Sequence, residues 1–204
     1  MNATDNSSPA VYVVDDDQAI RHAMELLMKS VGQPCHLFAS GDTFLDAYSA
    51  TWSGCLILDI RMPGIGGLEL QNELQKRNCS LPIIFITGFG DVPMAVEAIK
   101  NGAFDFIEKP FRDQELLDRV NAAIEADGRQ RTAQTEATVI KERLQRLTGR
   151  EREVMELVVT GKANKVIAHE LGVSQRTVEI HRARVMEKME ARSLPELVRM
   201  HLID

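Results

Sequence analysis

Residues 10–125 are predicted to form a parallel α/β sheet covered on both faces, and residues 144–204 a small all-α domain, with a linker over 126–143 between them. Three observations predict this. Up to Ala126, five short apolar runs alternate with amphipathic stretches; beyond it no strand pattern recurs, and cap-bounded helical segments follow one another. Charge divides at the same place: residues 1–125 hold 18 acids and 9 bases, a balance of −9, whereas residues 126–204 hold 12 acids and 15 bases, a balance of +3. An acidic front and a basic back suggest different partners, the back one a polyanion.

The strand runs are Val11–Val14, Cys35–Phe38, Cys55–Leu58, Leu81–Thr87 and Phe104–Ile107. Val11–Val14 and Ile83–Ile86 are continuous and rich in β-branched residues, as strands buried on both faces should be. Helical patterns cover about Gln18–Ser30, Gly41–Tyr48, Gly67–Arg77, Pro93–Asn101 and Asp113–Ala126, with Asp17 and Asp91 as candidate N-caps. The linker is polar and contains Gly128, a weak breaker. Ile140, Leu144 and Leu147 at helical spacing make part of it a candidate helix.

In the back part, Thr148-Gly-Arg-Glu151 is a capping-box pattern that opens a helix ended by Gly161. A segment from Asn164 to Leu171 stops at Gly172, and Ser174 caps a run from Gln175 to about Met189. Ser193-Leu-Pro-Glu196 is a second capping-box pattern, so the tail reads as four short helices. Two short helices joined at a glycine, the second beginning at a capped serine, form a helix-turn-helix. Ile167, Ala168, Leu171 and Val173 lock its first helix onto the second, and Val178, Val185, Met186 and Met189 form the buried stripe of the second. The opposite face carries Arg176, Glu179, Ile180, Ala183 and Arg184, with Arg182 near its edge.

Composition is that of a globular protein, 44% hydrophobic and 26% charged. Apolar runs are too short to span a bilayer, which excludes a membrane-spanning helix. The N-terminus MNATDNSSPA lacks a basic and a long apolar region, so residues 1–9 are expected to be a disordered tail rather than a signal peptide. Cys35, Cys55 and Cys79 are odd in number without metal-ligand spacing, which fits reduced thiols and a cytoplasmic location.

In an open parallel sheet, ligands bind beyond the carboxyl ends of the strands. Those ends hold Asp15 and Asp16, Asp59, Thr87, and Lys109-Pro110. Three carboxylates converging in a cleft repel one another and need a cation, and hard oxygen ligands favour Mg²⁺. A carboxylate beside Mg²⁺ can attack a phosphoryl donor, while a lysine and a hydroxyl neutralise the charge of the group in transfer. A haloacid-dehalogenase-like phosphatase would need a second aspartate two residues after the nucleophile, where this chain has Arg61. A flavodoxin-like nucleotide binder would need a glycine- and hydroxyl-rich loop after the first strand, where three aspartates stand. A constitutive DNA-binding protein using the front domain only as a dimerisation scaffold is opposed by the complete acidic pocket.

The segments VVDDDQ, LDIRMPG, FITGFGD and DFIEKPF resemble the receiver domain of two-component response regulators, and LTGREREVMELVVTGKANKVIAHELGVSQRTVEIHRARVMEKM resembles the LuxR-type helix-turn-helix of the FixJ/NarL group. The resemblance implies a doubly wound, CheY/flavodoxin-like five-stranded receiver. It implies that Asp59 is the phosphoacceptor, that Asp15, Asp16, Asp59 and the Arg61 backbone carbonyl hold Mg²⁺, and that Thr87 and Lys109 assist transfer. Thr87 and Phe106 match the switch pair, and Lys109-Pro110 a bond usually cis; Arg61 and Phe89 would influence how fast the phosphoryl group is lost. Glu179, Ile180 and Ala183 match base-reading positions, with Lys165, Arg176, Arg182 and Arg184 as candidate phosphate contacts. Some relatives carry lysine where Glu179 stands. His181 reads as a packing or backbone-capping residue. The implied partners are a sensor histidine kinase, promoter double-stranded DNA, RNA polymerase and, once phosphorylated, a second copy of the chain. A catalytic turnover on an external substrate is not implied.

Overall fold

A computed structural model describes residues 8–88 and 92–203. Two compact units divide the chain, Met1–Gln130 and Arg131–Asp204.

The first unit alternates β1 (Ala10–Val14), α1 (Gln18–Ser30), β2 (Cys35–Phe38), α2 (Gly41–Ala47), β3 (Gly54–Asp59), α3 (Gly67–Lys76), β4 (Ile83–Thr87), α4 (Val92–Lys100), β5 (Asp105–Glu108) and the start of α5 (Asp113–Gln145). Its strands form one parallel sheet in the order β2-β1-β3-β4-β5, so the winding reverses between β1 and β3. Because successive strand residues point to opposite faces, the apolar runs fill two cores. Val11, Val13, Cys55, Ile57, Ile84 and Ile86 pack with Met24 and Met28 of α1 and with Leu116 and Val120 of α5. Tyr12, Val14, Leu56, Leu58 and Phe85 pack instead with Phe44 of α2, Leu70 and Leu74 of α3 and Ala98 of α4. The sheet is therefore doubly wound, with α1 and α5 on one face and α2, α3 and α4 on the other.

Beyond Gln145 lie α6 (Gly149–Val159), α7 (Asn164–Leu171), α8 (Gln175–Lys188) and α9 (Leu194–His201). Their core joins Ile140, Leu144 and Leu147 to Val154 and Val158 of α6, Ile167 of α7, Val178, Val185 and Met189 of α8, and Leu197 of α9.

Three local expectations are revised. Helix α5 does not end near Ala126: it runs unbroken from Asp113 to Gln145 through Gly128. A single helical glycine costs about 1 kcal/mol relative to alanine, and burial fixes the helix on either side of it. Val120 and Ala123 sit in the first unit's core, Ile140 and Leu144 in the second's. Second, α9 has only half a capping box. Ser193 accepts from the Glu196 amide, but the Glu196 carboxylate accepts from the Arg192 amide, one residue before the cap. Third, Met186 is only half-buried and flanks the α8 stripe, whereas Val178, Val185 and Met189 are buried. The expected cap Asp91, with Phe89 and residues 1–7 of the tail, lies outside the described residues.

Candidate functional site

The reversal of strand order between β1 and β3 opens a cleft at the carboxyl edge of the sheet. Asp15 follows β1, Asp59 and Thr87 end β3 and β4, and Lys109 follows β5. Asp15 and Thr87 are each 2% exposed and Asp59 8%. The Lys109 ammonium bridges the two carboxylates, 2.7 Å from Asp59 Oδ1 and 3.2 Å from Asp15 Oδ2. The remaining oxygens are held locally: the Arg61 amide donates to Asp59 Oδ2 and the Asp17 amide to Asp15 Oδ1, both at 2.8 Å. Asp17 caps α1 through the Ala19 amide, as expected.

Burial pushes the Asp15 carboxyl above its ordinary value, although the Asp17 amide and Lys109 favour the charged form. Burial also works against the Lys109 ammonium, but hydrogen bonds and Coulomb attraction from Asp59 and Asp15 outweigh it and leave its pKa raised. A single cation thus serves two desolvated carboxylates.

Lys109 joins Asp15 and Asp59, whereas Asp16 is exposed, and among the described residues no group of three or more His, Cys, Asp or Glu is gathered as a metal cluster. Lys109-Pro110 is cis, and the Lys109 amide donates to the Thr87 carbonyl at 2.7 Å. Phe106 is half-buried against the core beneath α2, α3 and α4. The pairing of Phe85 with Phe106 and of Thr87 with Glu108 puts Phe106 and Thr87 on one sheet face in adjacent strands.

In the second unit, α7 and α8 meet at Gly172, whose φ of 64° is the left-handed conformation that glycine adopts without strain. Ser174 Oγ accepts from the Thr177 amide at 3.1 Å and starts α8. Arg176, Glu179, Ile180, Ala183 and Arg184 are all exposed on α8, as is Lys165 on α7. Arg182 differs: it is half-buried, and its guanidinium donates to Asn164 Oδ1 at 3.3 Å, tying α8 to the start of α7. The buried Nδ1 of His181 makes no hydrogen bond, so packing rather than capping describes it.

Residues 11–121 match the response regulator receiver domain, and residues 145–201 match the bacterial regulatory proteins of the luxR family. Nodulation protein W of Bradyrhizobium diazoefficiens is 49% identical over 190 residues, spanning 93% of this chain and 84% of that protein. The transcriptional regulatory protein FixJ of Azorhizobium caulinodans is 48% identical over 196 residues, spanning 95% and 92%. This chain belongs to the response regulators of the FixJ type. Among solved structures, response regulator StyR aligns with a TM-score of 0.86 at 40% identity, covering 96% of this chain and 99% of that one. Full-length FixJ from B. japonicum aligns at 0.62 with 43% identity, covering 96% and 97%.

This response regulator therefore joins a receiver to a LuxR-type DNA-binding domain, and its relatives are transcriptional regulators. No helix among the described residues is long and apolar enough to cross a membrane. Its structure also exposes contributors that sequence reasoning missed. Arg21 donates to the Asp15 carbonyl at 2.7 Å and steadies the end of β1. Gly67 lets α3 lie on the strand bearing Asp59, since a Cβ there would sit 2.4 Å from the Asp59 carbonyl oxygen. Asp127, 1% exposed, accepts from the Gly54 amide at 2.9 Å and fastens α5 to the start of β3. A glycine opening a helix and an aspartate beside a weak breaker carry no local signal of these long-range roles.

Proposed function

We propose that Asp59 is the phosphoacceptor and that its phosphorylation by a sensor histidine kinase drives dimerisation and promoter binding through α8. The observation that carries this reading is the bridge from Lys109 to Asp59 and Asp15 at the strand-order reversal. In the transfer, an Asp59 oxygen attacks phosphorus, the phosphorus–nitrogen bond of the kinase phosphohistidine breaks, and its electron pair stays on the leaving imidazole, which is neutral because its other ring nitrogen already carries a proton. Lys109 is already within hydrogen-bonding distance of the acceptor carboxylate and would follow the new phosphoryl oxygens. Thr87 supplies a hydroxyl from the neighbouring strand end, and Phe106 turns inward behind it as it moves. The surface of α4, β5 and α5, or of α1 and α5, then changes and pairs with a second copy, bringing two recognition helices to two half-sites.

Two desolvated carboxylates sharing one ammonium, with burial raising the Asp15 pKa, suit a further hard cation. Mg²⁺ needs only one or two carboxylates besides water and phosphate oxygens. Asp15, Asp59 and the Arg61 carbonyl would hold it, with Asp16 acting from the solvent side. When bound, it would neutralise charge on the phosphoryl group. Residues 10–125 then act as receiver, 126–143 as linker and 144–204 as DNA reader, in the cytoplasm and with RNA polymerase as the downstream partner. Lys165, Arg176, Arg182 and Arg184 contact phosphates, and Glu179, Ile180 and Ala183 face bases. The chain turns over no external substrate; its product is its own phosphorylated form.

Asp59→Asn tests the switch. Wild type treated with acetyl phosphate and Mg²⁺ should take up one alkali-labile phosphate, sediment as a dimer and bind DNA more tightly; the variant should do none of these. A variant that dimerises and binds as the phosphorylated wild type does would remove Asp59 from the switch.

A further inference from the structure

Glu179 is not accounted for by the scaffold. It lies beyond the first turn of α8, so the positive end of the helix dipole does not favour it. Its carboxylate is 50% exposed and pairs with Arg176 one turn earlier at 3.5 Å; Arg176 is itself 82% exposed, and such a pair adds little to stability. The surrounding surface is otherwise apolar or basic, with Ile180 43% exposed beside Ala183 and Arg184. An acid on a face that approaches phosphates weakens non-specific attraction. Its presence there is useful if it earns discrimination between bases.

The major-groove edges state which base that would be. Guanine and thymine present acceptors, which repel a carboxylate; adenine presents its amino group next to an acceptor nitrogen; cytosine presents its N4 amino donor alone. We propose that Glu179 is a specificity-determining residue that selects a cytosine in the DNA site by accepting a hydrogen bond from its N4 amino group. Arg176 holds the carboxylate over the groove face in the free protein and turns to a phosphate on binding. The inference rests on the reading of α8 as the DNA-facing helix.

The test selects binding sequences from a randomised duplex pool, using full-length wild type, Glu179→Gln and Arg184→Glu, each treated with acetyl phosphate and Mg²⁺. Wild type should enrich a motif containing a cytosine. Glu179→Gln should keep the rest of the motif and replace that cytosine by adenine, because a glutamine amide pairs with the adenine amino group and N7 together. In fluorescence-anisotropy titrations, changing the C·G pair to A·T should weaken wild type on the order of ten- to a hundredfold, and the preference should reverse in Glu179→Gln. A Glu179→Gln motif identical to the wild-type motif overturns the proposal while leaving α8 as the reader. A wild type that enriches no motif, or an Arg184→Glu protein that binds the wild-type motif unchanged, overturns the reading of α8 itself.

Discussion

Replacing Glu151 should unlock the DNA-binding unit, because this one carboxylate joins the start of α6 to the end of α8. Glu151 is 2% exposed. Its Oε2 accepts from the Thr148 amide at 2.8 Å and from the Lys188 ammonium at 2.6 Å, while Thr148 Oγ1 accepts from the Glu151 amide at 3.3 Å. A helix cap contributes about 1 kcal/mol and a hydrogen bond to a charged group about 1.5–3 kcal/mol. The Lys188 side chain is 33% exposed and can rehydrate once released, so the second contribution belongs at the low end. Glu151→Ala should therefore cost about 2–3 kcal/mol, and Glu151→Gln, which keeps an acceptor for the Thr148 amide, about 1 kcal/mol. For a unit of this size that lowers the melting temperature by roughly 10–20 °C and 4–8 °C respectively.

Differential scanning calorimetry of the full chain reads this change, with the receiver transition as internal control. Acid supplies a second arm. The Lys188 hydrogen bond, then that of the Thr148 amide, holds the Glu151 carboxyl at about 2 against an ordinary 4.5. A depressed acid contributes stability that is full above the unfolded value and lost as pH falls through the folded one. The second unit should thus lose melting temperature between pH 4.5 and about 2, and Glu151→Gln should flatten that slope. An alanine variant melting within about 2 °C of wild type, or a glutamine variant with the wild-type acid slope, refutes the reasoning.

At the receiver pocket the sign is opposite. Burial raises the Asp15 pKa, so the charged form costs stability above that pKa and the cost is relieved as pH falls below it. Asp15→Asn keeps an acceptor for the Asp17 amide; at neutral pH it should raise the receiver's melting temperature while slowing Mg²⁺-dependent phosphorylation. An unchanged or lower melting temperature, read by circular dichroism, argues against this account. Gly67→Ala would press a methyl against the Asp59 carbonyl and Ile60 Cα. Displacing the acceptor by a fraction of an ångström should slow phosphoryl uptake on the order of tenfold, measured with labelled acetyl phosphate; wild-type rates would show that α3 yields freely.

Most of the fold was legible because its signals are local. Continuous β-branched runs, glycine stops and capping serines and threonines report the backbone states of their own neighbourhoods. The pocket was legible for a related reason: four strand ends carried Asp15, Asp59, Thr87 and Lys109, and a parallel sheet brings its carboxyl ends together. That Asp15 is buried while its neighbour Asp16 is exposed was not legible, because both follow β1 in a loop whose path is set by tertiary contacts. The continuity of α5 through Gly128 was not legible either, because the burial that fixes the helix on either side of that weak breaker is set by the two cores.

By itself, the sequence determined the alternation of elements, the residues at the strand ends, the helix-turn-helix with its exposed face, and the family. Tertiary structure alone decided that Lys109 is shared between two carboxylates, that Arg182 is occupied by Asn164, that Glu151 reaches Lys188, and that Gly67 and Asp127 hold the two ends of the Asp59 strand. The division follows from range. Propensity, periodicity and capping act over a few residues, whereas charge pairing, close packing and desolvation depend on partners brought together only when the chain folds.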